Sequence, residues 1–160
     1  MSSATPTVRL RAMTENELPG YLEAVEAGYA SDIEHHGGQT HEAAVTKAKE
    51  DMASILPQGL QTPGHSIYVV EAGEDAVGRL WVAERPSGGR PALFIYEVAI
   101  EPEWQGRGFG RAAMLLAEEE ARARGIGYIE LNVFGGNDVA RNLYRSLGYL
   151  ETSVQMRKTL

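Results

Sequence analysis

Hydrophobic positions along this chain alternate between the two periods that define strands and helices. Val8, Leu10 and Ala12 fall on one face of an extended segment, predicting a strand over 8–13. Thr14-Glu-Asn-Glu17 then reads as a capping box, and Pro19 is compatible only with the first turn of the helix that follows. Leu18, Leu22, Val25 and Tyr29 carry helical spacing until His36-Gly37-Gly38 breaks it. Thr40 is placed to cap a second helix that runs to about Ile55 and stops before Pro57 and Gly59. Two strands, 66–71 and 76–84, flank the turn Ala72-Gly-Glu-Asp75, and a third spans 92–100. A helix over 108–124 is expected to carry Ala112, Leu116 and Ala123 inward, with Glu118–Arg122 and Glu120–Arg124 as outward pairs and Gly125 beyond its end. A strand over 128–133, a short helix capped by Asn137 with Ala140, Leu143, Tyr144 and Leu147 on one face, and a last strand over 149–158 complete the reading.

The order β-α-α-β-β-β-α-β-α-β, with no linker or repeat, predicts a single α/β domain over 1–160. Its mixed, mostly antiparallel sheet is flanked by helices, and a βαβ unit occupies the second half. The 160 residues suffice for a sizeable core, and 43% hydrophobic with 23% charged residues is ordinary for a soluble globular chain. The absence of cysteine excludes disulfides, thiolate metal sites and a cysteine nucleophile. Four histidines without an H-E-x-x-H pattern give no basis for a metal site. A formal net charge of −7 disfavours nucleic acid and mildly favours cationic partners such as amines, although solubility explains it equally well. Neither a secretory signal nor a membrane-length apolar run is visible, so a cytoplasmic protein that does not engage membranes is expected.

The chemistry concentrates in Phe94–Arg111, FIYEVAIEPEWQGRGFGR, where an apolar strand turns into Gln105-Gly106-Arg107-Gly108-Phe109-Gly110-Arg111 at the start of a helix. Glycines without Cβ atoms, beside free N–H groups and the positive end of a helix dipole, suit a pyrophosphate. The dinucleotide fingerprint fails because its third glycine would fall at Arg111, and no Gly-Lys-Ser/Thr follows for a nucleotide P-loop.

The pattern Q-x-x-G-x-G after Val98-Ala99-Ile100 resembles the acetyl-CoA loop of the GNAT N-acetyltransferase superfamily. A second motif, Asn137-x-x-Ala140-x-x-x-Tyr144-x-x-x-Gly148-Tyr149, resembles that family's closing segment. The two motifs occur in the family's order and on the matching elements. The resemblance implies a GNAT-like fold and acetyl-CoA as co-substrate. Its pyrophosphate would lie on Gln105 to Arg111, and its pantetheine arm against Val98, Ala99, Ile100 and Asn137. Tyr144 would protonate the departing thiolate, and Glu97 would act as general base through water. Each assignment has a plainer counterpart: Tyr144 as a core tyrosine, Asn137 as a helix cap, Glu97 as half of an ion pair with Arg79 or Arg90, and the glycines as a flexible turn.

The expected activity is acetyl transfer to a primary amine of a small molecule, peptide or protein. A non-catalytic acyl-CoA-binding module, a transferase of another acyl group, and homodimer formation remain open. The acidic stretch Tyr29–His36, the 56–65 loop with His65, and the turn over 85–90 are where acceptor choice is expected to lie.

Overall fold

The computed structural model describes residues 4–160. Its elements are β1 (Arg9–Ala12), α1 (Leu18–His35), α2 (His41–Ile55), β2 (His65–Ala72), β3 (Asp75–Glu84), β4 (Leu93–Ile100), α3 (Phe109–Ala123), β5 (Ile129–Leu131) and α4 (Asp138–Ser146). Short 3₁₀ turns occupy Gly59–Gln61 and Pro102–Trp104. The five strands lie in the order β1-β2-β3-β4-β5. The first three pairings are antiparallel, and β4 runs parallel to β5.

Local chemistry places the element ends. Thr40 accepts from the N–H of Ala43 at 3.3 Å, and Asn137 caps α4 in the same way through Ala140 at 3.3 Å. At α1 only half of the expected capping box forms. The Glu17 carboxylate accepts from the Thr14 N–H at 2.9 Å but is also held by Arg11 at 2.8 Å, and Pro19 sits in the first turn.

The main core lies between the sheet and α3: Val70, Leu80, Val82, Leu93 and Ile95 meet Phe109, Ala113, Met114 and Ala117. On the opposite face α1 lays Leu18, Tyr21 and Val25 against Val69 and Trp81, while Ala30 and Ile33 meet Ala44 and Ala48 of α2. The stripe that α3 buries therefore differs from the expected one. Ala112 is buried, Leu116 is half-buried and Ala123 is exposed, because Ala113, Ala117 and Ala121 let the helix approach the sheet along their own line.

Two expected strands are corrected. The strand expected over 128–133 shortens to Ile129–Leu131, since β4 and β5 separate after Ile95↔Leu131. The strand expected over 149–158 pairs with nothing among the described residues. Its alternating Leu150, Val154 and Met156 are exposed, because strand propensity without a partner ladder leaves the segment irregular.

Candidate active site

The separation of β4 from β5 opens the site. Parallel pairing covers only Leu93, Phe94 and Ile95, so Glu97–Ile100 keeps β3 on one side and, among the described residues, has no strand on the other. Trp81 pairs with Glu97 but Val82 with Ile95, which leaves Tyr96 as the extra residue of a bulge. A bulge bends its strand and re-aims the neighbouring side chains. Backbone groups of Val98, Ala99 and Ile100 are thus left open on the side where β5 has diverged.

At the end of this strand, the Gln105 amide donates to the Ile100 carbonyl at 2.9 Å and pins the loop. Gly106 and Gly108 have φ of +73° and +85°, where a side chain would be strained. The first bond of α3 joins the Ala112 N–H to the Gly108 carbonyl, so the N–H groups of Phe109, Gly110 and Arg111 precede the helical ladder. This is a donor array suited to the pyrophosphate of CoA. Arg107 stacks over Trp104, and Arg111 bonds Ser146, tying the loop to α4. The glycines do different work. A Cβ at Gly110 would meet Leu143 and Ile100 at ordinary contact distances of 3.5 and 3.9 Å, so it would point toward α4 and β4. A Cβ at Gly108 would press on Pro6 at 3.0 Å.

Tyr144 projects from α4, half-buried, its ring 5.9 Å from that of Tyr149. Burial pushes its hydroxyl above the ordinary tyrosine value, and the charge of Asp32 adds to the effect. Glu97 sits in the bulge with Oε2 fully enclosed. Burial raises its carboxyl. Tyr21 and Arg79 pull the other way, while Glu101 and Asp32 push it further up. Neither expected ion pair forms: Arg79 bonds Glu101 at 2.8 Å, and Arg90 lies over the Tyr128 ring. His65 accepts from the Trp81 indole at 3.0 Å and stacks on Tyr96, and burial lowers its pKa, so it acts as a neutral wall of the aromatic cluster. Among the described residues, no group of three or more His, Cys, Asp or Glu side chains could hold a metal ion, and no helix is long and apolar enough to cross a membrane.

Asp32 was legible only as part of an acidic stretch. On α1, Tyr21, Val25, Gly28 and Asp32 follow at intervals of four, three and four, forming one stripe. Its first two members are buried on the sheet; the next two extend past it. A Cβ at Gly28 would meet nothing within 4 Å. Asp32 is open at its surface, yet enough protein surrounds it to raise its carboxyl, and its charge is felt by both Glu97 and Tyr144. One turn on, His36 stacks on Phe134 at 5.9 Å, joining the end of α1 to the loop before α4. A helix period applied to 21–36 would have aligned Asp32 with Tyr21; what it faces required the fold.

Comparison with known proteins places the fold. The chain is 33% identical over 155 residues to the uncharacterized N-acetyltransferase YycN of Bacillus subtilis, covering 96% of this chain and 99% of that protein. The crystal structure of YycN superposes with a TM-score of 0.91 at 32% identity, over 96% of this chain and 99% of that one. A mycothiol acetyltransferase of Rhodococcus jostii is 40% identical over 133 residues, 82% of this chain but 41% of that protein. The aminoglycoside N-acetyltransferase AAC(6')-Iy in complex with CoA shares the fold, with a TM-score of 0.62 at 16% identity over 96% of this chain and 95% of that one. The family model described as "Acetyltransferase (GNAT) family" matches residues 29–149, a span that holds the strand opening, the glycine loop and Tyr144, and the chain belongs to that family.

Proposed function

We propose that the protein transfers an acetyl group from acetyl-CoA to a primary amine by direct attack, all 160 residues acting as one cytoplasmic catalytic domain. The observation that carries this reading is the β4 edge at Tyr96–Ile100, unpaired among the described residues on the side of β5, which leads through the glycine loop to the N–H groups at the start of α3. The pantetheine arm adds to that edge as a strand would, and Asn137 borders it from α4. An N–H near Val98 polarises the thioester carbonyl.

The acceptor must attack as a neutral amine. A lysine-like amine with pKa about 10.4 is neutral for only about 0.04% of the time at pH 7, a handicap of about 4.6 kcal/mol. Glu97, with its carboxyl raised by burial, takes the proton from the ammonium, directly or through a water. The neutral amine nitrogen bonds to the carbonyl carbon, the carbon–sulfur bond breaks, the departing thiolate takes the Tyr144 hydroxyl proton, and the second proton that the acylated nitrogen sheds passes through water to restore the Tyr144 hydroxyl. Asp32, whose charge acts on both groups, favours an acceptor that arrives as a cation. The test is CoA thiol release against a panel of small amines and peptides. Acetyl-CoA-dependent turnover with at least one cationic amine is expected. Binding of acetyl-CoA without turnover across the panel would refute the reading.

A further inference from the structure

Three buried polar atoms behind Glu97 form a complementary set. Tyr21 is 3% exposed, and its hydroxyl lies near enough to the Glu97 carboxyl to hold it down, yet makes no well-aligned hydrogen bond among the described residues. Arg79 Nε and Glu97 Oε2 likewise make no hydrogen bond among the described residues. The set contains two donors and one acceptor, and a carboxylate oxygen has lone pairs for both. Buried polar groups are rarely left unpaired, because each costs its desolvation. The Arg79 guanidinium lies 5.6 Å from the centre of the Tyr21 ring, and its Nη1 is anchored on Glu101, so its orientation is fixed from the far side. The three groups come from α1, β3 and β4; Arg79 and Glu97 share the sheet face that α1 covers, and both Arg79 and Tyr21 act on the Glu97 carboxyl. A cavity of about 180 Å³ bordered by Gly20, Tyr21, Arg79 and Glu101 opens beside two of the three groups and is large enough to admit water.

We propose that Tyr21 is a positioning residue for Glu97: with Arg79 it donates to Oε2, directly or through one shared water, and thereby presents Oε1 to the acceptor cleft. This builds on the reading of Glu97 as the base but makes a separate claim about its environment. The charged and titratable groups that act on Glu97 are Tyr21 and Asp32 from α1, Arg79 from β3 and Glu101 just past β4. Of these, Tyr21 and Arg79 favour the carboxylate, whereas Asp32 and Glu101 oppose it. Without the Tyr21 hydroxyl the carboxylate loses one of its two supports, while the ring that fills the core stays in place.

The experiment is Tyr21→Phe, with the Glu97 carboxyl followed by ¹³C NMR titration and the acid limb of kcat/KM recorded in parallel. The titration midpoint is expected to move upward by about 0.5 to 1 on the pH scale, as for the loss of one hydrogen bond to a carboxylate. The acid limb should follow it, and the plateau should change little. A titration that stays in place or moves down overturns the proposal, whatever happens to activity. A titration that moves while the acid limb does not leaves Tyr21 in its role and removes Glu97 from the base's. A fall in melting temperature without any change in the titration would mark the hydroxyl as purely structural, and so also overturns the proposal.

Discussion

Replacing Glu97 by Gln separates catalysis from architecture at the centre of the site. The change keeps shape and removes one ionisable oxygen. A base of this kind contributes about 10²–10⁴-fold, so kcat/KM is expected to fall by about 10²-fold or more and to lose its acid limb. The structure also bounds the cost in stability. A broken buried ion pair costs about 3–5 kcal/mol, but Arg79 is already held by Glu101 at 2.8 Å and would not be stranded. Burial sets the sign of the pH dependence. The Glu97 carboxyl is raised above its ordinary 4.5, so the folded state holds the proton more tightly than the unfolded one. That contribution to stability is fully present below the ordinary value and is lost as pH rises through the raised one; a tenfold difference in proton affinity between the two states corresponds to about 1.4 kcal/mol. The Gln variant lacks this loss. At neutral pH it should unfold in urea at the parent's midpoint or somewhat above it. Thiol release and urea unfolding on the same variant, each at pH 5 and pH 8, measure both effects. A variant as active as the parent would refute the base, and one destabilised by about 3–5 kcal/mol would show that Glu97 serves the fold.

Tyr144→Phe keeps the packing against Tyr149 and deletes the proton donor, so kcat should fall about 10- to 1000-fold with acetyl-CoA affinity little changed; unchanged single-turnover rates would return Tyr144 to the core. Acetyl-CoA should raise the melting temperature of the parent, and Gly108→Val should abolish the rise, because φ of +85° and Pro6 at 3.0 Å leave no strain-free place for a side chain. Gly110→Ala should keep the rise and stabilise α3 by about 0.5–1 kcal/mol, its Cβ meeting Leu143 at an ordinary 3.5 Å; equal behaviour of the two variants would refute this assignment of the loop. Asp32→Asn should raise KM for a cationic amine about tenfold and leave KM for acetyl-CoA alone, since the Asp32 charge acts on Glu97 and Tyr144; equal effects on both KM values would remove it from acceptor binding.

What the sequence determined by itself is what short-range physics controls. The caps at Thr40 and Asn137, the stops at Gly125 and Gly148, and the glycine loop opening α3 all follow from groups within a few residues of one another. The family motifs lie on those same local elements, so the proposed cofactor side of the site could be written residue by residue from sequence. Its acceptor side was not. Glu97 was visible as a carboxylate in an apolar strand, but its neighbours Tyr21, Asp32 and Arg79 lie 18 or more positions away in the chain and meet it only across the sheet. The divergence of β4 from β5 was equally invisible, since strand propensity extends through Val133 while pairing ends at Leu131. The alternating segment over 149–158 makes the same point in reverse: its pattern reads as a strand, but a strand exists only where another backbone accepts its hydrogen bonds, and that is decided by tertiary structure.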